Sequence, residues 1–369
     1  MEQTERQLVS LLSEITPLYD VPMREAKARQ DALAKPPGSL GLLEDLSVQL
    51  AGITGQVKNE VSHTRIYVLA ADNGVVCEGV SSAPQSVTRA QAINLTRGLT
   101  GASCLAKHFG DELVVADMGI ALPYACPEIL NRSLGKGTAN IAAGPAMARQ
   151  TAVRGILTGM GLAAQAKRDG IQILGVGEMG IGNTTTSSAV LAVLLGADVE
   201  AVTGRGGGLT DKGFLRKKEV LRQALALHRP DGSDVIGVLA GVGGLDLAAM
   251  TGAFLGCAHE RVPAAVDGFI SIAAALCAVR LCPAVRDVLF LSHDSYEVGY
   301  RIAAEALGLQ PCLRLGMRLG EGSGCPLLFR VLEGACGVMR GMATFGEASI
   351  EDSYLDEIRA VDAFTVEGT

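Results

Sequence analysis

The chain has 369 residues, with 32 lysines and arginines against 39 aspartates and glutamates, and a formal net charge of −7 at pH 7. This acidic balance, without any long basic run, argues against a nucleic-acid-binding protein. No apolar stretch reaches the about 20 residues that a membrane span needs, and the polar amino terminus lacks the apolar segment of a secretion signal. We therefore predict a cytoplasmic protein without a membrane segment.

The amino-terminal region, residues 1–60, is predicted to be helical. Apolar residues recur at helical spacing from Glu5 to Leu12, from Met23 to Leu33 and from Leu40 to Leu50. The paired prolines after Lys35 interrupt this pattern, because proline ends a helix. We expect this segment to form a smaller helical lobe together with the carboxyl-terminal segment.

The middle region, residues 61–324, is predicted to be one α/β nucleotide- and base-binding domain. Short β-branched runs alternate with helix-like segments, which is typical of βαβ units. The expected class is therefore a doubly wound, mainly parallel, Rossmann-like sheet, with ligands at the carboxyl ends of its strands. The predicted strands are residues 66–69, 113–116, 171–174, 199–202, 264–266 and 288–291.

The carboxyl-terminal region, residues 325–369, is assigned to the smaller lobe. A helix is predicted over residues 326–344, and the acidic stretch 347–369 is expected to be peripheral. The nine cysteines are scattered along the whole chain and form neither a C-x-x-C pair nor a zinc-spaced cluster. No dense group of histidines and carboxylates is present either, so we predict neither a metal nor a cofactor.

Two short glycine-rich segments each hold one carboxylate, Glu178 within residues 175–185 and Glu321 within residues 319–324. Glycine adopts backbone conformations that other residues avoid and lets a ligand approach the main chain. The first segment follows the run 171–174 and precedes a helix-like stretch, an arrangement that binds phosphate in α/β proteins. The segment alone leaves two interpretations of Glu321 open: a general base, or an acceptor of backbone N–H groups in a turn.

A second candidate phosphate site is the glycine-rich segment 204–212. Successive glycines aim backbone N–H groups at one point and so form an anion-binding nest. Because the segment lacks the Gly-Lys-Ser/Thr ending of a P-loop, it is either a phosphate site or a flexible turn. Lys217 downstream either compensates the charge of a phosphate or, taken alone, lies on a solvated helix face.

Two further polar segments have more than one interpretation. The long polar loop 72–88 is a candidate ligand site, since long loops with little regular structure are often functional. Within it, Ser86 or Thr88 either contacts a ligand or caps the following helix. The sequence His-Asp-Ser at 293–295 lacks a Gly-x-Ser-x-Gly elbow, so we expect strand-end packing or ligand contact rather than a hydrolase triad.

Together these segments resemble the nicotinate-nucleotide–dimethylbenzimidazole phosphoribosyltransferase (CobT) family. The resemblance runs from about residue 30 to residue 346, and the matching segments stand in the family's order. The segments 177–185 and 319–324 are the most specific. The full set is Lys35–Gly41, Ala71–Val75, Glu78–Ser81, Pro84–Thr88, Gly177–Thr185, Gly204–Gly206, Asp267–Ile270, Ser292-His293 and Leu319–Gly324.

The resemblance implies transfer of the phosphoribosyl group of nicotinate mononucleotide to a benzimidazole nitrogen, by a homodimer. It implies that Glu321 is the general base and that Lys217 binds the phosphate. The other substrate-binding residues that it implies are Ser81, Gln85, Glu178, Gly180, Gly182, Asn183, Gly204, Gly206, Asp267 and Ser292.

Three residues depart from the family's usual pattern. Asn73 stands where the family commonly has histidine, Ala83 where it commonly has an aromatic residue, and Asp294 where it usually has arginine. Ala83 removes a flat surface for stacking on the acceptor base. The alternatives are therefore the same chemistry with another acceptor, such as adenine, another benzimidazole or a phenolic compound, and an inactive nucleotide-binding homologue.

Overall fold

The computed structural model describes residues 3–356. The acidic stretch predicted to be peripheral lies outside the described residues from position 357 onward. The strands are β1 Thr64–Ala71, β2 Glu112–Gly119, β3 Leu130–Asn131, β4 Ile173–Met179, β5 Ala264–Val266, β6 Leu289–His293 and β7 Pro311–Leu313. The α-helices are α1 Gln3–Ser13, α2 Asp20–Ala32, α3 Leu42–Thr54, α4 Ser86–Thr96, α5 Gly101–Phe109, α6 Arg149–Arg168, α7 Asn183–Leu195, α8 Val199–Val202, α9 Asp211–His228, α10 Val235–Val242, α11 Leu245–Glu260, α12 Phe269–Leu281, α13 Val298–Leu307 and α14 Cys325–Gly341.

In the described part of the chain, seven strands form one sheet in the order β3-β2-β1-β4-β5-β6-β7. Every neighbouring pair is parallel. The chain runs outward from β1 to one edge and from β4 to the other, so the direction of winding changes between these two strands. Their carboxyl ends therefore flank the crevice in which open α/β sheets bind ligands. The predicted doubly wound parallel sheet is confirmed.

Some predicted elements are wrong in detail. The run 199–202 forms the short helix α8 rather than a strand, because a four-residue segment with three apolar residues does not distinguish a strand from a helical turn. The strand predicted at 171–174 instead runs from Ile173 to Met179, so Glu178 lies within β4 and not in the turn after it. The edge strands β3 and β7 were not predicted, because they have only two and three residues.

The described residues pack as two compact units, one of residues 3–16 and 63–328 and the other of residues 17–62 and 329–356. Helix α1 belongs to the first unit, where it packs against α6 and α11. Most of α11 and α12 is buried, and these helices supply much of the core beside the sheet. The division into domains 1–60, 61–324 and 325–369 stays a prediction.

The second unit is helical. Ala26 of α2, Ala51 of α3 and Met339 of α14 form its small apolar core. A buried ion pair, with Lys35 Nζ 2.6 Å from Glu44 Oε1, closes the turn between α2 and α3. Across residues 3–356, no helix is both long and apolar enough to cross a membrane.

Candidate functional site

A cavity of about 220 Å³ opens at the carboxyl edge of the sheet, beside the end of β4. Its wall is formed by the loop after β1, the turn between β4 and α7, the glycine-rich loop, the start of α12 and the segments after β6 and β7. The lining residues are Ser81, Ser82, Ala83, Glu178, Met179, Gly180, Ile181, Gly182, Asn183, Thr184, Gly206, Gly207, Gly268, Phe269, Ile270, His293, Ser295, Glu297, Arg318, Leu319 and Gly320.

Glu178 is the penultimate residue of β4 and lies in the cavity wall with only 6% of its surface exposed. Its carboxylate accepts hydrogen bonds from the Asn183 side-chain amide and, over 3.4 Å, from the main-chain N–H of Glu321. Burial raises the pKa of Glu178 to about 8, because a desolvated carboxylate is costly. This carboxyl group is therefore largely protonated at neutral pH.

Behind Glu178 lies a buried polar network that the sequence analysis did not include. The Asn183 amide nitrogen also lies 3.3 Å from Asp246 Oδ2, at the start of α11. Asp246 accepts the N–H of Leu247 over 2.9 Å and is hydrogen-bonded by the Asn73 side chain. Burial raises the pKa of Asp246 to about 6. Asn183 and Asn73 thus hold two buried acids, and Asn73 serves as a structural contact at the end of β1.

Glu321 lies in a tight loop whose backbone is clamped by a second buried acid. Asp267, just after β5, accepts the N–H groups of Gly322 over 3.0 Å and Gly324 over 2.7 Å. Glu321 itself has φ +62°, which is unusual for a residue other than glycine. Burial, aided by the nearby Glu321 charge and opposed by the N–H groups of Gly324 and Gly322, raises the pKa of Asp267 to about 7. The loop therefore keeps its strained shape through contacts with buried carboxylates.

Gly177 in β4 allows this loop to lie directly on the sheet. A Cβ atom on Gly177 would lie 2.5 Å from the main-chain nitrogen of Gly322, which is too close for any side chain. The glycine in the middle of a strand thus marks a close backbone approach rather than a turn.

The carboxylate of Glu321 is directed toward α4 and α5 and is not among the cavity-lining groups. Gln91 Nε2 lies 3.3 Å from Glu321 Oε1, and the main-chain nitrogen of Ala102 lies 3.5 Å from Glu321 Oε2. Only 2% of Glu321 is exposed. Its preceding residue, Gly320, lines the cavity, so the carboxylate lies beside the cavity and behind its wall.

Lys217 on α9 is fully buried, so the solvated-face interpretation of this residue is wrong. Its ammonium nitrogen lies 2.9 Å from Thr184 Oγ1 and 3.1 Å from the carbonyl oxygen of Gly204. Burial lowers the pKa of Lys217 to about 8, and the Glu297 charge opposes that effect. Because Gly206 lines the cavity, the glycine-rich loop lies between the cavity and a buried cation.

The remaining predicted residues lie at different distances from the cavity. Ser81 lines it, and Ser81 Oγ accepts the N–H of Ala83 over 3.2 Å. Gln85 precedes α4 as its N-cap without a side-chain cap bond, and it is not among the lining residues. Ser292 is buried and donates to the main-chain oxygen of Asp267 over 3.0 Å.

Neither of the serine and threonine caps considered for α4 is formed. Thr88 is buried, and its hydroxyl accepts the N–H of Ile181 over 3.0 Å, which fixes the turn after β4. His293 lines the cavity, and burial lowers its pKa to about 4, so it is neutral at pH 7. Asp294 pairs instead with the exposed Arg301 at 3.1 Å.

Several contacting residues were missed by the sequence analysis. Asp246 had a signal, because it is the single charged residue in the apolar run 235–258. Gln91 had none, since polar residues on helices are commonplace and only the fold places it beside Glu321. Thr184 lies within the predicted segment 177–185, but its contact with Lys217 was not predicted. Within residues 3–356, no cluster of three or more His, Cys, Asp or Glu side chains is arranged to hold a metal ion.

Comparisons with a family model, with curated proteins and with solved structures all point to the same family. A phosphoribosyltransferase family model matches residues 15–350. The chain is 46% identical over 342 residues to the nicotinate-nucleotide–dimethylbenzimidazole phosphoribosyltransferase of Clostridium perfringens, covering 93% of this chain and 95% of that protein. It is 48% identical over 329 residues to the protein of that name from Ruminiclostridium cellulolyticum, covering 89% and 94%. The crystal structure of CobT from Thermus thermophilus matches with a TM-score of 0.87 at 41% identity, covering 90% of this chain and 100% of that one.

Proposed function

This chain belongs to the nicotinate-nucleotide–dimethylbenzimidazole phosphoribosyltransferase family, and we propose that it moves the phosphoribosyl group of nicotinate mononucleotide to 5,6-dimethylbenzimidazole or a similar base. The products are an α-ribazole 5′-phosphate and nicotinate. The reaction prepares the lower ligand for assembly of the cobalamin nucleotide loop.

The observation that carries this proposal is the position of Glu321 relative to the cavity. Gly320 lines the cavity and the next residue carries a buried carboxylate with donors from Gln91 and Ala102. The proposed general base, Glu321, therefore belongs to the same loop that forms part of the cavity wall.

The chemistry of the reaction suits this set of residues. Nicotinate leaves from a positively charged ring nitrogen as the bond to C1′ breaks and takes the bonding electron pair, so its departure requires no acid. The unprotonated ring nitrogen of the acceptor bonds to C1′ from the opposite face, which inverts that carbon. The positive charge that the acceptor ring gains is removed when its other ring nitrogen loses the N–H proton. Glu321 is the proposed acceptor of that proton, and general-base catalysis typically contributes about 10²–10⁴-fold.

The proposed phosphate site combines the glycine-rich loop with Lys217. Gly206 and Gly207 line the cavity, and Lys217 lies behind Thr184 and Gly204. Backbone N–H groups and a buried cation together favour a phosphate dianion. We assign the other predicted residues two supporting roles: Ser81, Glu178, Gly180, Gly182 and Asn183 line the nucleotide site, whereas Asp267 and Ser292 support the loop that carries Glu321.

A second candidate function, the same chemistry on a different acceptor, is favoured by Ala83. This residue lines the cavity and offers no ring for stacking. An inactive nucleotide-binding homologue is disfavoured, because Glu178 and Glu321 are both present and in contact. We also propose a homodimer, and the cytoplasmic location stays a prediction.

The test is to incubate the purified protein with nicotinate mononucleotide and a panel of bases, and to identify the products by mass. The panel contains 5,6-dimethylbenzimidazole, unsubstituted benzimidazole, adenine and a phenol. We expect a ribazole phosphate and equimolar nicotinate. If products form only with adenine or the phenol, the second function is favoured. If no product forms with any acceptor of the panel, an inactive homologue is favoured.

A further inference from the structure

Two side-chain amides form a row that ends on Glu321. Gln91 Nε2 lies 3.3 Å from Glu321 Oε1, and Asn94 Nδ2 lies 3.0 Å from Gln91 Oε1. Gln91 and Asn94 are three residues apart on α4, a spacing that places them on the same face of a helix. Asn94 does not touch Glu321 itself, so any effect on it passes through Gln91.

The charge of Glu321 determines which way both amides point. An ionised carboxylate can only accept hydrogen bonds, so Gln91 must turn its NH₂ group toward Glu321. The oxygen of Gln91 then faces Asn94, which must present its own NH₂ group. The two amide orientations therefore follow from the carboxylate at the end of the row.

We propose that Asn94 is a positioning residue that holds the Gln91 amide with its donor toward Glu321. Asn94 donates to Gln91 Oε1, and this hydrogen bond stabilises the orientation in which the Gln91 NH₂ group faces the carboxylate. The inference rests on the proposed function, in which Glu321 takes the acceptor proton. The other donor to this carboxylate, the N–H of Ala102, comes from the first turn of α5, where the helix dipole also favours an anion.

The substitution Asn94→Asp should reverse the direction of the hydrogen bonds in this row, and it changes the size of the side chain very little. It places an acceptor where a donor stood, so Gln91 turns its NH₂ group toward position 94 and its oxygen toward Glu321. A carboxylate that loses a donor and faces an acceptor ionises only at higher pH. At saturating substrates, the fall in kcat on the acid side of its pH profile should therefore begin at higher pH, and the rate below that point should be lower than in the parent.

Two buried acids also face Glu321, and neither is changed in this experiment. Glu178 on β4 accepts its main-chain N–H, and Asp267 after β5 lies within reach of its charge. The new negative charge of Asn94→Asp also acts on Glu321 directly through space. Gln91→Leu separates the two effects, because without an amide to turn only the through-space effect remains.

The experiment compares the parent, Asn94→Asp, Gln91→Leu and an uncharged control, Asn94→Leu, together with the two double variants that combine each Asn94 substitution with Gln91→Leu. The pH profile of kcat is recorded from about pH 5 to 9, and the melting temperature of each variant is measured alongside. We expect Asn94→Asp to move the acid limb at least twice as far in the parent as in the Gln91→Leu background. We expect Asn94→Leu to lower kcat in the parent and to have no effect in the Gln91→Leu background.

Equal shifts of the acid limb in both backgrounds, or no shift, would overturn the role of Asn94 while leaving the proposed function intact. If Asn94→Asp fails to fold, the test is the effect of Asn94→Leu on kcat in the parent and in the Gln91→Leu background. Equal effects in both backgrounds, or no effect in the parent, would overturn the role of Asn94. A parent protein that transfers no phosphoribosyl group would instead overturn the proposed function, and this inference with it.

Discussion

The main-chain N–H of Glu321 donates to the carboxylate of Glu178 over 3.4 Å. This contact joins the penultimate residue of β4, in the wall of the cavity, to the loop that carries the proposed base. The same carboxyl group is held by Asn183 on its other side. The wall of the cavity and the loop that carries the proposed base are therefore in direct hydrogen-bond contact.

Replacing Glu321 by glutamine should abolish most turnover while leaving nucleotide binding intact. The amide keeps the shape of the side chain but cannot take a proton, so kcat should fall by about 10²–10⁴-fold. Steady-state kinetics with dimethylbenzimidazole and calorimetric titration with nicotinate mononucleotide measure the two effects. Glu333→Gln, a partly exposed glutamate on α14, is the matched control. Full turnover in Glu321→Gln would exclude Glu321 as the base.

Replacing Lys217 by methionine should weaken nicotinate mononucleotide binding through loss of the positive charge behind the proposed phosphate loop. Methionine fills the buried space without that charge, and KM should rise by about tenfold, which corresponds to about 1.4 kcal/mol of lost binding free energy. Stability should be kept, because the cost of burying an ammonium group disappears. Lys218→Met on the same helix, where the ammonium lies over the Phe214 ring, is the control. Equal use of unphosphorylated nicotinate riboside by the parent enzyme would contradict a phosphate site.

The raised pKa of Glu178 predicts how stability changes with pH. Its pKa is about 8 in the folded protein against an ordinary value of 4.5. The folded state therefore binds more protons between these values, and the free energy of unfolding falls as pH rises from about 4.5 to 8. This contribution is fully present below the lower value and is lost as pH passes through the higher one.

Glu178→Gln tests that sign, because glutamine does not titrate. The fall in unfolding free energy between about pH 5 and 8 should be smaller in the variant than in the parent, measured by urea denaturation. Asp246 and Asp267 contribute in the same direction and are present in both proteins. Identical pH slopes would show that Glu178 is ionised throughout this range.

The fold class and the family resemblance drawn from the sequence are both confirmed. The strands with apolar cores were found because parallel strands buried on both faces are continuous apolar runs. The end of β4 was placed wrongly, because glycines at 175 and 177 look like a turn in sequence. In the structure Gly177 is needed for the close approach of Gly322, a contact between segments far apart in the chain.

Candidate site residues could be predicted from the sequence where a short segment has a distinctive composition. They could not be predicted where residues from distant segments come together only in the folded protein. Glu178 and Glu321 stand among glycines, so each was found from a few neighbouring residues. Lys217 looks like any lysine on an amphipathic helix, and its burial beside Thr184 depends on how α9 packs near α7. Gln91 contacts Glu321, 230 residues away in the chain, and no local pattern encodes that contact. Asp246 stands out in the sequence as a single charge in an apolar run, but its contact with Asn183 depends on the fold.

We expect a homodimer whose interface lies near the acceptor site. Exposed apolar side chains lie on segments that line the cavity: Leu319 is in the cavity wall, and Tyr296 stands between the lining residues Ser295 and Glu297. Leu315, also exposed, is three residues before the lining residue Arg318. Contiguous exposed apolar residues mark interaction surfaces. Sedimentation velocity should give a dimer, and Leu315→Asp should shift it toward monomer, whereas Leu227→Asp at an exposed site on α9 should not. A fully active monomer at micromolar concentration would rule out the dimer.

The acceptor preference should respond to position 83. Ala83 lines the cavity together with Met179, so a larger side chain there faces the same space as the substrates. An aromatic pair is worth about 0.5–1.5 kcal/mol beyond the buried area, so Ala83→Tyr should favour dimethylbenzimidazole over adenine by up to about tenfold, mainly through KM. Ala83→Leu adds bulk without a ring and separates stacking from simple filling of space. The measurement is the ratio of kcat/KM for the two acceptors in the parent and both variants. If the ratio is unchanged in Ala83→Tyr, position 83 does not face the acceptor, and other residues of the wall set its identity.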